Sequence, residues 1–480
     1  MTISLTGSDL SIEGVVAVAR DGADVRLDPD ASERMDRARD VVDAVLAEGE
    51  PVYGLTTGVG VLKHVILEGT SDDIALFNRS LIERHRGGQG PPAPLEVVRA
   101  SIACLANTLA RGYAGVRPSV VEALLRLLEA GKEPSVRILG SVGQADLTAN
   151  ADLASALPDD LTLAPGEGLA LLNHNAFSVG WSALALADAG TLLDAMEASA
   201  ALALEGFGAN LSPLHPAVSL ARPYEGLVRT SEALRVHLEG SSLSEPGQAR
   251  NLQDPLTFRN AAHVLGAARD ALAFARRQVG VELNAAQGNP LVVVPEQRVI
   301  SVSNFEALPI AAAMDALRVA LSPAIASAAE RVVKLLEASW SGLPTGLAPV
   351  PGTADMGLSM LGVAAQAIAA EARTLAVPVS VEVVSTSLAE GIEDRATMAP
   401  LAARRTQEMV MLGARVAAVE LTVAAQAMDL RGTAGRGRGT NRVHRVVREA
   451  VPFMGEGDPF PHDLEPLVAL VRSGRLSAEG

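Results

Sequence analysis

Residues 317–336 read LRVALSPAIASAAERVVKLL, a pattern typical of a long, partly buried helix. Apolar residues recur every three to four positions at Leu317, Leu321 and Ile325, while the charged residues fall largely off this stripe. That period is the period of an α-helix with one face in the core. Pro323 is expected to kink or break the helix, because proline lacks the N–H that continues the hydrogen-bond ladder.

Two further runs of this kind follow along the chain. Residues 357–376 end before Pro378, and residues 398–430 form a third run. Hydrophobic residues make up 48% of the 480 residues and aromatic residues only 3%. Alanine-rich sequences of this type favour helices whose axes approach closely. We therefore predict a mainly α-helical fold, an elongated bundle of long central helices, with strand signals only at places such as 290–294 and 377–384.

The character of the sequence changes along the chain. Residues 1–205 mix short helical segments with glycine-rich loops, residues 206–430 hold the long helical runs, and residues 431–480 form a C-terminal helical segment. Glycine-rich loops let the backbone approach a ligand closely. We expect the N-terminal region to carry active-site loops and the central region to form the bundle.

Charge and composition exclude several classes of function. The formal net charge is −16, which disfavours a nucleic-acid partner, because an acidic surface repels a polyanion. Cys104 is the only cysteine, and its apolar surroundings indicate a core position. We find no basic leader, no long apolar stretch free of polar residues and no metal-binding or phosphate-binding motif. We expect a soluble, cytoplasmic protein with no membrane partner and no metal.

Residues 140–147 read Gly-Ser-Val-Gly-Gln-Ala-Asp-Leu. They resemble the Gly-Ser-Val-Gly-Ala-Ser-Gly-Asp-Leu signature of the aromatic amino acid lyases, which include histidine and phenylalanine ammonia-lyases. In that family the Ala-Ser-Gly cyclises and dehydrates into an electrophilic methylidene-imidazolone group. Here Gln144 and Ala145 stand between Gly143 and Asp146 in its place, one residue shorter. Without that serine and glycine the group cannot form, so we predict a family member without this cofactor.

Two N-terminal segments match the family's catalytic loops. Residues 53–60, Tyr-Gly-Leu-Thr-Thr-Gly-Val-Gly, resemble Tyr-Gly-x-Asn-Thr-Gly-Phe-Gly, which implies that Tyr53 is the catalytic acid/base. A phenolate base needs a pKa lowered by positive neighbours or helix dipoles. Residues 78–92 resemble a region whose histidine is associated with the active site, which implies a substrate-binding role for His85. A packing tyrosine and a structural histidine are the alternatives.

Two further segments imply substrate contacts. Residues 171–176, Leu-Leu-Asn-His-Asn-Ala, resemble Leu-Leu-Asn-Gly-Thr-Gln, so that Asn173 matches the substrate-contacting asparagine. Residues 253–259, Gln-Asp-Pro-Leu-Thr-Phe-Arg, resemble Gln-Asp-Pro-Tyr-Ser-Leu-Arg, which implies binding roles for Gln253 and Arg259. A guanidinium can hold a carboxylate with two hydrogen bonds, so Arg259 is the expected carboxylate anchor.

Residues 303–306, Ser-Asn-Phe-Glu, resemble the family's Gly-Asn-Phe-His. The match implies substrate-binding roles for Asn304 and Phe305. Glu306 replaces the histidine, and it either adds negative charge near the site or is simply solvated or salt-bridged.

Residues 380–394 resemble a family segment that ends in Gln-Glu-Asp. The match implies that Glu393 faces the substrate ring, with Glu390 as a rival, because this segment is longer than the histidine-type one. A carboxylate favours an imidazole over a phenyl ring, because it can pair with ring N–H groups.

The resemblance extends from about residue 50 to the C-terminal region. It implies a homotetramer that acts on a small amino-acid-like substrate, with active sites built from several subunits. A quaternary ammonium has no lone pair with which to attack the missing electrophile, and it leaves as a neutral amine. We therefore expect a lyase that releases a tertiary amine from an imidazole-bearing betaine, as ergothionases release trimethylamine from ergothioneine. The alternatives are another addition, isomerisation or cyclisation, and a non-catalytic binding or scaffold protein.

Overall fold

The computed structural model describes residues 2–49, 51–67, 69–131, 133–381, 389–432 and 435–478, and the protein is mainly α-helical, as predicted. In chain order the helices are α1 (Ile12–Arg20), α2 (Pro29–Glu48), α3 (Ser71–His85), α4 (Leu95–Ala110), α5 (Pro118–Ala130), α6 (Leu147–Ala154), α7 (Glu167–Leu172), α8 (Ala176–Phe207), α9 (Pro216–Ala221), α10 (Glu225–His237), α11 (Leu256–Arg259), α12 (Ala261–Glu282), α13 (Leu308–Leu336), α14 (Ala338–Ser341), α15 (Ser359–Thr374), α16 (Ala399–Arg431), α17 (Arg438–Ala450) and α18 (Glu465–Arg472).

The described strands are short and pair two by two. These pairs are β1 (Thr2–Leu5) with β2 (Asp24–Leu27) in parallel, and β3 (Gln89–Pro92) with β4 (Arg137–Leu139) and β5 (Leu291–Val293) with β6 (Arg298–Ile300) antiparallel. The strand predicted at 290–294 is therefore confirmed. Residues 377–381 form no strand, and residues 382–388 lie outside the described part of the chain.

The chain divides into two compact units. The first comprises Met1–Ala187, Ala275–Met314 and Pro378–Arg404, and the second comprises Asp188–Phe274, Asp315–Val377 and Arg405–Gly480. The division falls inside α8, α12, α13 and α16, so each of these helices contributes residues to both units. The division into residues 1–205, 206–430 and 431–480 rests on the sequence pattern alone and stays a prediction.

The expectation that residues 1–205 contain only short helices is wrong. Helix α2 has 20 residues and α8 has 32. Nearly every side chain of α8 is buried or partly buried, and its sequence is apolar on all sides. A helix of this kind has no polar face to contrast with an apolar stripe, so periodicity does not reveal it.

In the first unit, α2 supports the predicted Tyr53 loop. Its buried residues Ala38, Val41 and Val42 form a core cluster with Leu55 and Val292. Val292 belongs to β5 and Leu55 lies two residues after Tyr53, so this cluster anchors the beginning of the glycine-rich loop. Removing apolar surface of this kind from water contributes about 25 cal/mol per Å².

Helix α13 runs through Pro323 without a break. The carbonyl that loses its hydrogen bond belongs to Val319, and the side chains of Val319 and Pro323 lie on an exposed face of the helix.

The charged residues that lie off the apolar stripe of α13 do not form a solvent-exposed face of the helix. Arg331 is buried, and it forms an ion pair of 2.5 Å with Glu420, which also accepts from the Ser199 hydroxyl at 2.6 Å.

Two described segments, Glu167–Phe207 and Leu308–Leu336, are long and apolar enough to cross a membrane by length and composition alone. Of their most apolar windows, 78% and 56% respectively are buried inside the protein. Burial of this extent is usual in core helices of globular proteins. The expectation that the protein has no membrane partner stays a prediction.

Helix α8 supplies a matched test of this packing. A Cβ atom at Gly180 would lie 2.9 Å from backbone atoms of α4, whereas one at Gly190 would meet only a side-chain carbon of Leu272 at 3.9 Å. We expect Gly180→Ala to lower the free energy of unfolding by about 1–2 kcal/mol, because overpacking outweighs helix propensity. Gly190→Ala should raise it by about 0.5–1 kcal/mol. Denaturant unfolding of both variants measures the difference, and equal effects would contradict the packing assigned to α8.

Candidate active site

The loop that resembles the prosthetic-group signature is tightly folded. Ala145 is buried and has a φ of 56°, in the left-handed region that a residue with a side chain rarely adopts. Asp146 follows at the N-cap position of α6, without a side-chain capping hydrogen bond. Gln144 is also buried and forms an isolated backbone bridge with Glu306.

A second segment clasps this loop. The hydroxyl of Thr397 donates to the Gly143 carbonyl at 2.6 Å, and the Met398 amide donates to the Val142 carbonyl at 2.8 Å. A Cβ atom at Gly143 would lie 2.2 Å from the Thr397 hydroxyl oxygen and 2.8 Å from the Ala399 amide nitrogen. Glycine is therefore required at position 143, where the loop meets the beginning of α16.

The side chain of Glu306 joins the same two segments. Its Oε2 accepts a hydrogen bond from Gln144 Nε2 at 3.1 Å and one from Arg395 Nε at 3.3 Å. Its Oε1 accepts from the Leu308 amide at 3.0 Å, at the beginning of α13. Of the two alternatives for Glu306, the structure therefore shows the salt bridge.

The family's methylidene-imidazolone does not fit this loop. Its formation requires a serine hydroxyl to eliminate and a glycine nitrogen to close the ring, and Ala145 offers no hydroxyl. The side chain of Gln144 is already hydrogen-bonded to Glu306.

Burial changes the pKa values of two residues beneath the loop, Asp146 and His174. The Asp146 carboxylate accepts from the Ser178 amide at 2.7 Å and from its hydroxyl at 2.9 Å, at the beginning of α8. Burial nevertheless raises the pKa of Asp146 to about 7. Burial also lowers the pKa of His174 to about 4, so its imidazole is neutral at physiological pH.

Tyr53 lies half-buried in its glycine-rich loop. Its phenol oxygen accepts a hydrogen bond from the Gly60 amide at 3.0 Å, which favours the phenolate. Burial has the larger effect and raises the pKa of Tyr53, and the nearby negative charge of Glu393 raises it further. The expectation that positive neighbours lower this pKa is therefore wrong for the single chain, because the charge that acts on Tyr53 is an acidic one.

Glu393 and Glu390 differ in their surroundings. Glu393 is partly buried, and burial followed by repulsion from Asp394 raises its pKa. Glu390 is exposed and has a φ of 58°. The 382–388 part of the matching motif lies outside the described residues.

The two asparagines that are predicted to contact the substrate donate hydrogen bonds to backbone carbonyls. Asn173 ends α7 and donates from Nδ2 to the Asn289 carbonyl at 2.9 Å. Asn304 is exposed and donates to the Ala286 carbonyl at 3.1 Å. The Phe305 carbonyl accepts from Asn175 Nδ2 at 3.0 Å. Each of these residues belongs to the first unit, together with Tyr53 and Glu393.

His85 is the last residue of α3. Its Nδ1 lies 2.7 Å from the Leu81 carbonyl one turn earlier. A carbonyl can only accept, so Nδ1 is the donor of this hydrogen bond and Nε2 is left for other contacts.

Gln253 and Arg259 belong to the second unit. Arg259 Nε donates to the Asp254 carbonyl at 2.8 Å, and within the described chain its two Nη groups have no partner. Gln253 is exposed. Arg259 therefore has the unpaired N–H groups that a carboxylate would need.

Two residues of this region escaped the sequence analysis. Arg395 was missed although it directly follows Glu393 and Asp394, and Thr397 was missed because a lone threonine carries no signal.

Within the described residues no cluster of three or more His, Cys, Asp or Glu side chains could hold a metal ion. A cavity of about 220 Å³ between α3 and residues 154–163 contains none of the predicted site residues.

Comparison with known proteins gives a consistent family. The model of the family described as aromatic amino acid lyase matches residues 10–158 and 156–449. Histidine ammonia-lyases from Anaeromyxobacter sp. (strain K) and Caldanaerobacter subterraneus subsp. tengcongensis are 35% and 33% identical to the chain. These alignments cover 99% of the chain and 99% and 97% of the two relatives.

Solved structures agree with this result. The ergothioneine-degrading enzyme ergothionase from Treponema denticola, in complex with desmethyl-ergothioneine sulfonic acid, is similar with a TM-score of 0.92 and 30% identity, over 99% of each chain. Tyrosine aminomutase from Streptomyces globisporus is similar with a TM-score of 0.91 and 27% identity, over 99% of this chain and 98% of that one.

The backbone of Ala145 gives a stability test. Ala145→Gly should raise the free energy of unfolding by about 0.5–1 kcal/mol, because glycine avoids the left-handed penalty at the cost of some unfolded-state entropy. Ala149→Gly, in the helix that follows, should lower it by about 1 kcal/mol. Denaturant unfolding compares the two variants. A loss of stability in both would show that Ala145 is not strained.

Proposed function

Since the chain belongs to the aromatic amino acid lyase family, we propose that it is a carbon–nitrogen lyase that works without the family's prosthetic group. Its proposed reaction eliminates a tertiary amine from an imidazole-bearing amino-acid betaine. The observation that carries this proposal is the loop at 143–146, where Gln144 is hydrogen-bonded to Glu306 in the place of the precursor tripeptide.

The leaving group explains how the reaction proceeds without an electrophile. Ammonia leaves poorly from an amino acid, and covalent capture of the amine lone pair assists it. A quaternary ammonium has no lone pair and already carries the positive charge. Its C–N electron pair departs with a neutral trialkylamine, while the electrons of the β C–H bond form the C=C bond. The products are a substituted acrylate, a tertiary amine and a proton on the base.

We assign the base to Tyr53. Its phenol is half-buried near Glu393 and has a raised pKa, so the free protein holds it in the neutral form at physiological pH. A permanently cationic substrate next to this phenol favours the phenolate, because an opposite charge stabilises the ionised form. The Gly60 amide stabilises the same form. Substrate binding and base activation are thereby coupled.

The other site residues are assigned to the polar and charged groups of the substrate that they can bind. Glu393, the partly buried carboxylate whose charge acts on Tyr53, is assigned to the N–H groups of the ring. Arg259, with two unpaired Nη groups, is assigned to the substrate carboxylate. Asn173 and His85 are assigned to substrate positioning, with Gln253, Asn304 and Phe305 as further contacts. We assign no metal or cofactor to the reaction.

The comparisons support the class of substrate. One similar solved structure is an ergothioneine-degrading enzyme with a bound ergothioneine derivative. Full-length relatives at 33–35% identity are named histidine ammonia-lyase, so ammonia release from histidine is the specific rival. The composition of the loop at 143–146 favours the betaine.

We further propose that the protein is a cytoplasmic homotetramer. In the single chain, α13 exposes an apolar face along Pro309, Ala312, Ala316 and Val319, all at helical spacing. Helix α15 likewise exposes Met360 and Val363. Exposed apolar faces of this length are typical of surfaces that are buried in assemblies.

Amine release tests the reaction. With ergothioneine or hercynine, we expect the wild-type protein to release trimethylamine and form a conjugated acrylate, and to form no urocanate from histidine. Tyr53→Phe should lower kcat/KM by about a hundredfold or more, because a general base is lost. Since the active form of Tyr53 is the phenolate, wild-type kcat/KM should rise with pH across the neutral range.

Tyr113→Phe is the matched control, because Tyr113 is an exposed tyrosine of the same unit. It should leave kcat/KM unchanged. Urocanate formation from histidine would refute the proposed leaving group, and full activity of Tyr53→Phe would refute the assigned base.

Mass spectrometry tests the missing prosthetic group. Under denaturing conditions, the purified chain should have the mass of its encoded sequence, because residues 140–147 contain no serine followed by glycine for the dehydrating cyclisation. Loss of water from a peptide containing residues 140–147 would contradict the proposal. Under native conditions, the same instrument should detect an assembly of four chains, and a stable monomer would refute the tetramer.

A further inference from the structure

Glu306 is the common hydrogen-bond acceptor of three segments of the first unit. One oxygen accepts from the Leu308 amide at the beginning of α13. The other accepts from Gln144, in the loop that resembles the prosthetic-group signature, and from Arg395, in the segment that carries Glu393. A carboxylate offers about four lone-pair sites and can satisfy these three donors together, whereas a neutral imidazole offers one acceptor nitrogen.

The loop that resembles the prosthetic-group signature and the segment that carries Glu393 are also joined by hydrogen bonds to backbone carbonyls. Thr397 donates to the Gly143 carbonyl, and the Met398 amide donates to the Val142 carbonyl. These bonds lie on the C-terminal side of Glu393. Glu393 therefore lies two residues from the ion pair to Glu306 and four residues from Thr397.

The position of Glu393 matters for the chemistry at Tyr53. Its charge acts on the Tyr53 phenol, and the carboxylate is only partly exposed. A side chain in this position can recognise a substrate ring only if its backbone is held in place, because displacements of about 1 Å reduce catalytic efficiency by up to about a hundredfold.

We propose that Glu306 is a positioning residue that holds Arg395, and through it Glu393, against the loop at 140–146. Glu306 does not touch the substrate. Its carboxylate keeps the ring-binding Glu393 in register with the loop through Gln144 and Arg395. This proposal rests on the role of Glu393 proposed above.

Glu306→Gln isolates this role. The glutamine keeps the shape of the side chain and one carbonyl oxygen for the Leu308 amide, but its NH₂ group cannot accept from Gln144 or Arg395. We expect amide hydrogen exchange in a peptide covering residues 389–398 to become faster. For the betaine substrate, KM should rise about tenfold with a smaller change in kcat, because binding of the ring is weakened.

Glu296→Gln is the matched control. Glu296 lies on an exposed turn of the same unit and has only a distant ion pair of 3.8 Å with Arg298. This variant removes the same charge, and it should leave both hydrogen exchange and KM unchanged. A change equal to that of Glu306→Gln would show that net charge, and not the hydrogen bonds of Glu306, is responsible.

A double-mutant cycle with Glu393→Gln tests whether Glu306 acts through Glu393. In the Glu393→Gln background, Glu306→Gln should raise KM little further, because the residue that it positions no longer binds the ring. Independent, multiplicative effects on KM, or unchanged exchange in residues 389–398, would overturn the positioning role. If the wild-type protein released no amine from any betaine, the proposed function would fail, whereas hydrogen exchange would still decide the role of Glu306.

Discussion

The clasp between residues 142–146 and residues 395–399 is the constraint on which the candidate site depends. It consists of the Thr397 bond to the Gly143 carbonyl, the Met398 bond to the Val142 carbonyl and the Glu306 ion pair with Arg395. The Thr397 bond joins residues 254 positions apart in the chain and the Glu306–Arg395 pair joins residues 89 positions apart, so the loop and the segment carrying Glu393 can form only when the first unit has folded. The strained φ of Ala145 persists because the contacts on both sides fix the loop.

Burial sets the charges around this loop. It raises the pKa of Asp146 to about 7 and lowers that of His174 to about 4, which moves both groups towards neutrality. Glu393, Asp394 and Arg395, which is paired with Glu306, are charged groups of the segment that faces the loop.

Sequence patterns predicted the mainly helical fold because α13, α15 and α16 have apolar stripes or alanine-rich runs that end at clear boundaries. Helix α8 escaped prediction because it is apolar on every side. The family resemblance singled out Tyr53, Asn173 and Glu393 as candidate site residues, because each lies in a motif of several residues, and their roles stay predictions.

The contacts of these residues could not be predicted in the same way. Arg395, Thr397 and Glu306 meet only in three dimensions, and no local pattern links them. The raised pKa of Tyr53 was missed for the same reason, because it depends on burial and on a carboxylate 340 positions away in the chain.

A half-buried phenol near a carboxylate is a poor base until positive charge approaches it. Within the described residues, no cation is identified as acting on Tyr53. A substrate with a primary amine could lose its charge by deprotonation, but a quaternary ammonium keeps its charge at every pH. It brings to the site both the leaving group that needs no electrophile and the charge that favours the phenolate. In the proposed reaction, a single property of the substrate therefore meets both the absence of Ala-Ser-Gly from the loop and the acidic surroundings of Tyr53.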